Sequence, residues 1–317
     1  HTDADGMPAA AGAAFRHVII IESDLNDIRY ISPTHTGGYG MDATWCDEFH
    51  HAVHALITKE QRGYYSDFGD IALLEKSFNH AYVYNGLWSE HRKKVFGNTT
   101  GGLPGQKFVV FAQNHDQVGN RMLGERLSLL TDFETLKLVA GIVLFSPFIP
   151  LLFMGEEYAE TNPFLYFTSH SGEELINQVR TGRRKEFEAF MDESEMPDPQ
   201  DLSTFQRSKL NWDNHTDKQK YMLSFYKALI HLRKVHPLWN STGRQNFSAR
   251  VMEQGNVMML IRRKDMQVLA AVLNFGDRPY LLPDELARNS KILLNSADQQ
   301  WGGPGKENPG HTQTMVM

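Results

Sequence analysis

One stretch of the sequence changes from apolar to polar halfway along: Phe108-Val109-Val110-Phe111-Ala112-Gln113-Asn114-His115-Asp116-Gln117-Val118-Gly119-Asn120-Arg121. Its first half is β-branched and aromatic, and its second half is polar and carries one carboxylate. A parallel strand covered on both faces is apolar until it emerges at a site, where polar residues follow. In a (β/α) barrel those residues lie at the mouth, where active sites form. The alternative is that His115 and Asp116 only cap the following turn, and that is the preferred interpretation of an isolated pair.

Three more segments repeat this design and decide against the capping alternative. Residues 15–21 predict a strand that ends in Glu22, residues 41–46 one that ends at Asp47, and residues 149–154 one that ends in Glu156 and Glu157. Helices are predicted after them, at 47–58 with Asp47 as a candidate N-cap, at 70–80, and at 131–145 with Thr131 or Asp132 as N-cap. Strands that alternate with helices indicate a parallel sheet. Four such units make half of a (β/α)8 TIM barrel.

The pattern changes after the predicted helix 217–236, which Pro237 ends. Residues 257–261, 268–273, 291–294 and 312–317 predict short strands separated by turn residues. We therefore expect two domains, a partial (β/α) barrel at 1–240 and a small antiparallel β-sandwich domain at 241–317. Residues 81–106 and 158–216 look loop-rich or irregular.

Composition excludes some classes of protein. The 317 residues carry a formal net charge of −6, which argues against a general nucleic-acid or anionic-membrane binder. The mostly apolar segment 138–155 contains Pro147 and Pro150, so it predicts a helix end, a turn and a strand rather than a membrane span. The single cysteine, Cys46, allows no intrachain disulfide and fits a reducing, cytoplasmic compartment.

Glu22 and Asp116 follow two strands that would share one mouth. Paired carboxylates suit glycoside hydrolysis, in which one donates a proton to the leaving oxygen and another acts at the anomeric carbon. His115 beside them could bind sugar hydroxyls. Spacing along the chain cannot show that the two carboxylates converge, so the residues alone leave a carbohydrate-active enzyme as one interpretation among several.

A resemblance narrows these interpretations. Residues 113–121 are similar to the fourth conserved region of the α-amylase superfamily of glycoside hydrolases, and in extended form they resemble its maltooligosyltrehalose trehalohydrolase family. Other stretches resemble, in order, that family's segments around the general acid/base, after the sixth strand, at the eighth strand, beyond it and in the C-terminal β domain. They are residues 21–27, 45–54, 152–158, 164–170, 180–187 and 301–305.

The resemblance implies roles for individual residues. Glu22 would be the proton donor and later base, and Asp116 would stabilise the oxocarbenium-like transition state. The implied substrate-binding residues, some at the cleavage subsite and some where a trehalose unit is recognised, are His115, Asn114, Gln117, Trp45, Asp47, Phe49 and His50. The reaction would be retaining hydrolysis of the α-1,4 bond next to the terminal trehalose of maltooligosyltrehalose, with α-glucan oligosaccharides as partners.

One expected part of such a site has no counterpart in the sequence. The superfamily's nucleophile is an Asp at the end of the fourth barrel strand, and no strand with this ending precedes Glu22; Asp3 and Asp5 follow no apolar run. We therefore expect the C-terminal half of the enzyme, strands five to eight, and a chain that is inactive alone. A glucan branching or debranching enzyme and a non-catalytic glucan-binding remnant remain alternatives.

We expect no cofactor and no metal. His50 and His54 are spaced as in some zinc sites, but His51 stands where the glutamate of the His-Glu-x-x-His motif would be. Contact with sugar or a place on the helix surface is the preferred interpretation of these histidines. The oligomeric state is open.

Overall fold

A four-stranded parallel sheet forms the centre of the computed structural model. Its strands are β1 (Ile20–Ile21), β2 (Ala43–Trp45), β5 (Phe108–Val110) and β6 (Ile149–Pro150). They lie side by side in this order, β1–β2–β5–β6, and every neighbouring pair is parallel. This order confirms the predicted parallel sheet. The structure describes residues 17–187, 196–213, 215–239, 243–253, 255–278, 280, 290–305 and 313–316.

The inner strand β5 and the edge strand β1 of this sheet differ in burial. All three residues of β5 are buried, as its apolar sequence predicts. Val18, Ile19 and Ile20 are instead 60%, 56% and 45% exposed. Among the described strands β1 pairs only with β2, so its outer edge carries unpaired backbone groups and uncovered apolar side chains. The start predicted for this strand, at residue 15, lies outside the described residues.

Helices cover the sheet between its strands. They are α1 (Asp47–Thr58), α2 (Ile71–His80), α3 (His115–Gly119), α4 (Leu127–Leu130), α5 (Phe133–Phe145), α6 (Glu173–Phe187), α7 (Leu202–Arg207) and α8 (Asp217–Val235). The Asp132 side chain accepts from the Thr135 N–H, which confirms one predicted N-cap of α5. The predicted N-cap of α1 is wrong, because Cys46 takes that position and Asp47 is the first helical residue.

Some elements lie where the sequence predicts irregular structure. A hairpin of β3 (Leu87–Ser89) and β4 (Lys94–Phe96) occupies part of 81–106, and α6 and α7 lie within 158–216. Conversely, the strand predicted at 149–154 ends at Pro150, since residues 151–153 form no ladder. None of the described helices is long and apolar enough to cross a membrane.

The C-terminal strands form one antiparallel sheet in the order β10–β11–β9–β8–β7. They are β7 (Phe247–Val251), β8 (Val257–Lys264), β9 (Gln267–Asn274), β10 (Ile292–Asn295) and β11 (Gln313–Val316). The sandwich expected here is not seen among the described strands, which all join this single sheet, and β7 was not predicted.

The antiparallel sheet packs against the helices of the barrel part. One hydrophobic cluster includes residues from both, among them Phe145 of α5 and Leu260 of β8. The buried Arg262 donates from Nη2 to the carbonyl oxygens of Phe145 and Ser146, at 2.8 Å each. The domain boundary predicted between 240 and 241 lies outside the described residues and stays a prediction.

Candidate active site

Three side chains meet where β1 ends and α3 begins. His115 Nε2 lies 3.6 Å from Glu22 Oε1 and 3.5 Å from Asp116 Oδ1. One ligand atom from each of the three residues can be chosen so that all lie within 4.8 Å of one another. The two carboxylates, which follow β1 and β5 on either side of β2, therefore converge, which the sequence could not show. Each of the three side chains is about half exposed.

The helix that carries His115 and Asp116 is held from its first turn. Asn114 is its N-cap, and the Asn114 side-chain oxygen accepts from the N–H groups of Asp116 and Gln117 at 2.9 and 3.1 Å. Asn114 is 2% exposed. The capping role therefore belongs to Asn114, which leaves the imidazole and the carboxylate of the next two residues free to face solvent.

Asp47 extends the site towards α1. The pKa of the Asp47 carboxyl is raised to about 6, chiefly by burial. The nearby negative charges of Asp24, Asp116 and Glu22 contribute to this rise, whereas a hydrogen bond from the Gln117 side chain opposes it. Asp47 thus lies near the converging carboxylates, and its contact with substrate stays a prediction.

An aromatic side chain borders the same group. The Trp45 ring lies 6.0 Å from the His115 imidazole and 5.3 Å from the Phe111 ring, in edge-to-face geometry with both. Trp45 is partly exposed at the end of β2. A partly exposed indole beside a polar cluster can pack against the apolar face of a sugar ring.

Two predicted substrate-binding residues are wrong in this structure. Phe49 has no exposed surface and packs edge-to-face against Phe78 and Phe148 in the core. His50 is 1% exposed, with Nδ1 2.5 Å from the Ala112 carbonyl oxygen and Nε2 2.8 Å from the Tyr65 hydroxyl. Neither side chain can touch a sugar without the core opening, because both are buried in the first turn of α1.

His50 instead supports the site from behind. Burial holds the pKa of His50 well below its usual range, so the ring is neutral. Since a carbonyl oxygen can only accept, Nδ1 carries the proton and Nε2 accepts from the Tyr65 hydroxyl. The ring thus ties α1 to Ala112, just before the polar half of the stretch that leads to Asp116.

The neighbouring histidines are also built into the structure. His54 Nε2 lies 2.8 Å from Glu60 Oε2, and the His51 ring stacks on Tyr64. Burial lowers the pKa of His51 to about 3. Helix spacing brings His50 and His54 together, but each of them already has a protein partner. Among the residues that the structure describes, Glu22, His115 and Asp116 form a group that could hold a divalent cation, although exposed acidic groups commonly cluster without one.

Comparison with known proteins shows which enzymes this chain is similar to. No protein-family model matches the chain. It is 49% identical over 221 residues to the malto-oligosyltrehalose trehalohydrolase of Saccharolobus solfataricus, and this alignment covers 70% of this chain and 38% of that protein. It is 39% identical over 301 residues to the enzyme of the same name from Rhizobium sp. (strain M-11), which covers 93% of this chain and 48% of that protein. The chain is a homologue of the malto-oligosyltrehalose trehalohydrolases.

This trehalohydrolase homologue spans less than half the length of those two relatives. A solved structure of a candidate alpha amylase from Salmonella typhimurium superposes with a TM-score of 0.80 at 34% identity, covering 94% of this chain and 51% of that one. An alpha-amylase from H. orenii, 20% identical, superposes with a TM-score of 0.51 over 94% of this chain and 53% of its own. The fold is therefore that of about half of an α-amylase-type enzyme.

Two glutamates support the site in this trehalohydrolase homologue: Glu60, which the sequence did not indicate, and Glu156, which follows a predicted strand but whose partners the sequence did not indicate. Glu60 Oε2 binds both His54 and Arg121 Nη1 at 2.8 Å, so the end of the 108–121 stretch is tied to the loop after α1. Glu156 is 8% exposed and accepts from the Gln113 amide and the Tyr226 hydroxyl, at 3.4 Å each. No pattern in the sequence pairs these residues, since their partners lie far away along the chain.

Proposed function

We propose that this chain supplies the general acid/base and the transition-state-stabilising carboxylate of a retaining trehalohydrolase. Its substrate would be maltooligosyltrehalose, cleaved at the α-1,4 bond next to the terminal trehalose. The observation that carries the proposal is the convergence of Glu22 and Asp116 around His115. The names of the relatives supply the substrate.

The retaining mechanism is proposed from the resemblance to the α-amylase superfamily. The approach of Glu22 and Asp116, whose oxygens lie within 4.8 Å of each other, does not bear on it, because retention depends on the distance between the acid/base and the nucleophile. In the proposed reaction Glu22 protonates the leaving oxygen, and later takes a proton from the water that hydrolyses the glycosyl-enzyme. Asp116 binds sugar hydroxyls as positive charge develops at the anomeric carbon, and His115 lies between Asp116 and Glu22.

The nucleophile would come from outside the described residues. The outer edge of β1 is apolar, exposed and unpaired among them, as an inner barrel strand without its neighbour would be. We propose that a further strand pairs there and brings a carboxylate to the mouth. On this view the parallel strands are strands five to eight of a (β/α)8 barrel, residues 1–240 are its part, and 241–317 form the C-terminal β domain.

The remaining parts of the proposal concern partners and place. α-Glucan oligosaccharides are the proposed partners, and neither nucleic acid nor a membrane is expected. Cys46 is a buried free thiol, which fits the proposed cytoplasmic location. Gln117, Trp45 and Asp47 are the proposed contacts to the product side.

The test measures trehalose released from maltooligosyltrehalose, with a maltooligosaccharide of equal length as the competing substrate. Two polypeptides are compared: these 317 residues, and the same chain extended upstream by the segment that supplies the missing strands in the relatives. Only the extended polypeptide should release trehalose. In it, Glu22→Gln should lower kcat by about 10²–10⁴-fold, whereas Glu253→Gln, at an exposed turn residue, should not.

Each other outcome would overturn a definite part of the proposal. Trehalose release by the short polypeptide would mean that a described carboxylate, such as Asp24 or Asp27, is the nucleophile. Cleavage of the maltooligosaccharide without trehalose would favour a branching or debranching enzyme. Glucan binding without turnover by either polypeptide would favour a non-catalytic remnant.

A further inference from the structure

Glu48, the second residue of α1, is a buried carboxylate with three hydrogen-bond donors around it. It is 4% exposed. Oε2 accepts from the backbone N–H groups of Val83 and Tyr84, at 2.6 and 2.9 Å. Oε1 accepts from the side-chain amide of Asn26 at 2.5 Å. Burial raises the pKa of Glu48 to about 7, although all three hydrogen bonds act to lower it. A buried acid with this many donors is a built contact rather than a chance one.

Asn26 is the other side of that contact, and it lies four residues after Glu22. It is 5% exposed and adopts the left-handed conformation, with φ of 52°, which asparagine tolerates better than most residues. Its side-chain amide also donates to the Tyr84 carbonyl oxygen at 3.1 Å. Its own carbonyl accepts from the Asn98 N–H at 3.1 Å. Asn26 is therefore fixed through its side chain and its backbone.

The residues between Glu22 and Asn26 are held less firmly. The Leu25 N–H donates to the Ser23 hydroxyl at 3.3 Å. Asp24 pairs with Arg92 at 2.9 Å, with 54% and 24% of the two side chains exposed. A surface pair of this kind contributes little to stability. The buried contact between Asn26 and Glu48 is thus the firm anchor of the segment that carries Glu22.

We propose that Glu48 is a positioning residue for Glu22: through Asn26 it sets where the segment 22–26 leaves the end of β1, and so where the Glu22 carboxylate stands relative to His115. The inference rests on the proposed role of Glu22 as acid/base. Asp47 precedes Glu48 in the first turn of α1, so a single helix turn places one carboxylate beside the site and anchors another. Glu48 itself does not touch the substrate.

The experiment uses the imidazole resonances of His115, because this ring lies 3.6 Å from Glu22. The 317-residue chain is labelled at histidine, and His115→Gln assigns the signals. Spectra are recorded at pH 8 for wild type and for Glu22→Gln, Glu48→Gln, Asn26→Asp and the Asn26→Asp/Glu48→Gln double variant. Unfolding free energies are measured for each, so that loss of fold is separated from displacement of Glu22. Catalytic activity is not needed for this readout.

The expected pattern follows from donors and acceptors. Glutamine at 48 keeps one oxygen for the two backbone N–H groups but turns its amide against the amide of Asn26. Aspartate at 26 places two carboxylates against each other. Each single variant should move the His115 resonances in the direction of the Glu22→Gln spectrum. In the double variant the new amide donates to the new carboxylate, so the displacement should be smaller than in Asn26→Asp.

The control is Glu160→Gln, which changes another buried glutamate. The Glu160 carboxylate accepts from Tyr158, Thr161, Asn162 and Asn211, all outside the 108–121 stretch, so this variant should leave the His115 resonances in place. Unmoved resonances in both single variants, with the fold intact, would overturn the proposal and leave Glu48 a structural residue. Additive displacements in the double variant would also overturn it. So would a Glu22→Gln spectrum identical to wild type, because Glu22 would then not contact His115 in solution.

Discussion

Replacement of Glu156 by glutamine should change how the stability of the protein depends on pH. Glu156 follows β6, is buried, and accepts two long hydrogen bonds of 3.4 Å, from Gln113 and Tyr226. Burial, with the negative charge of Glu157 in support, raises the pKa of Glu156 to about 8 from 4.5. Long hydrogen bonds stabilise the ionised form poorly, so the folded protein resists its ionisation.

The sign and size follow from linkage. The pKa of Glu156 is higher in the folded protein than in the unfolded chain. The contribution of protonated Glu156 to the free energy of unfolding is therefore complete below pH 4.5 and is lost as the pH rises through about 8. At about 1.36 kcal/mol per unit, the whole shift corresponds to a loss of about 5 kcal/mol above pH 8. Glutamine is neutral throughout, so we expect Glu156→Gln to match wild type within about 1 kcal/mol at pH 5 and to exceed it by about 2–5 kcal/mol at pH 9.

The assay is urea unfolding of wild type, Glu156→Gln and Glu253→Gln at several pH values between 5 and 9. The exposed Glu253 controls for the loss of one charge. Asp47 and Glu48, whose pKa values burial also raises, are present in every protein and cancel in the difference. A constant difference between Glu156→Gln and wild type across this range would refute the reasoning, because it would show that Glu156 titrates alike in the folded and unfolded states.

Two further predictions concern the backbone around the site. A Cβ on Gly97 would lie 2.0 Å from the Tyr84 carbonyl oxygen at a φ of +69°, so Gly97→Ala should lower the free energy of unfolding in urea by about 2–4 kcal/mol. The control Gly101→Ala, at a φ of +55° with open space around the new Cβ, should lower it by about 1 kcal/mol. Asn114→Ala should lower the free energy of unfolding by about 1–2 kcal/mol, because α3 loses its N-cap, and should shift the NMR resonances of α3. The control Asp201→Ala removes the N-cap of α7 and should lower the free energy of unfolding as much without shifting the resonances of α3. Equal α3 resonances in the two variants would contradict the prediction.

The sequence predicted the part of the fold that a simple rule governs. A strand buried on both faces must be apolar, and its polar continuation must emerge where the layers end. That rule located β1, β2 and β5 and the residues that follow them. It also placed Glu22 and Asp116 on one edge, and the structure brings them together around His115. Their catalytic roles stay predictions.

The rule failed where a helix is buried on every side. In α1, nine consecutive residues from Glu48 to Leu56 are buried, so no periodic apolar face shows which side chains point to the site. The resemblance implied that Phe49 and His50 bind substrate together with Asp47. Phe49, two residues after Asp47, is turned from it by about 200° around the helix, and the structure buries both Phe49 and His50. The hairpin β3–β4 was missed for another reason: its exposed Leu87, Trp88 and Val95 have no alternating pattern of burial.

Polar residues near the site differ in whether other protein groups already fill their hydrogen-bonding capacity, and this difference distinguishes candidate catalytic residues from structural ones. His50, Glu48 and Asn114 are nearly fully buried, and each has two or three internal hydrogen-bond partners, as buried polar groups must. Glu22, His115 and Asp116 are half exposed, and within the described structure their close contacts are to one another. The His50 ring and the Glu48 carboxylate are occupied by these partners, whereas Asn114 uses its side-chain oxygen for the cap and also carries the two N–H donors of its amide. Glu22, His115 and Asp116 are the groups placed to exchange a proton or bind a hydroxyl, because the surrounding structure holds these two carboxylates and one imidazole without satisfying them.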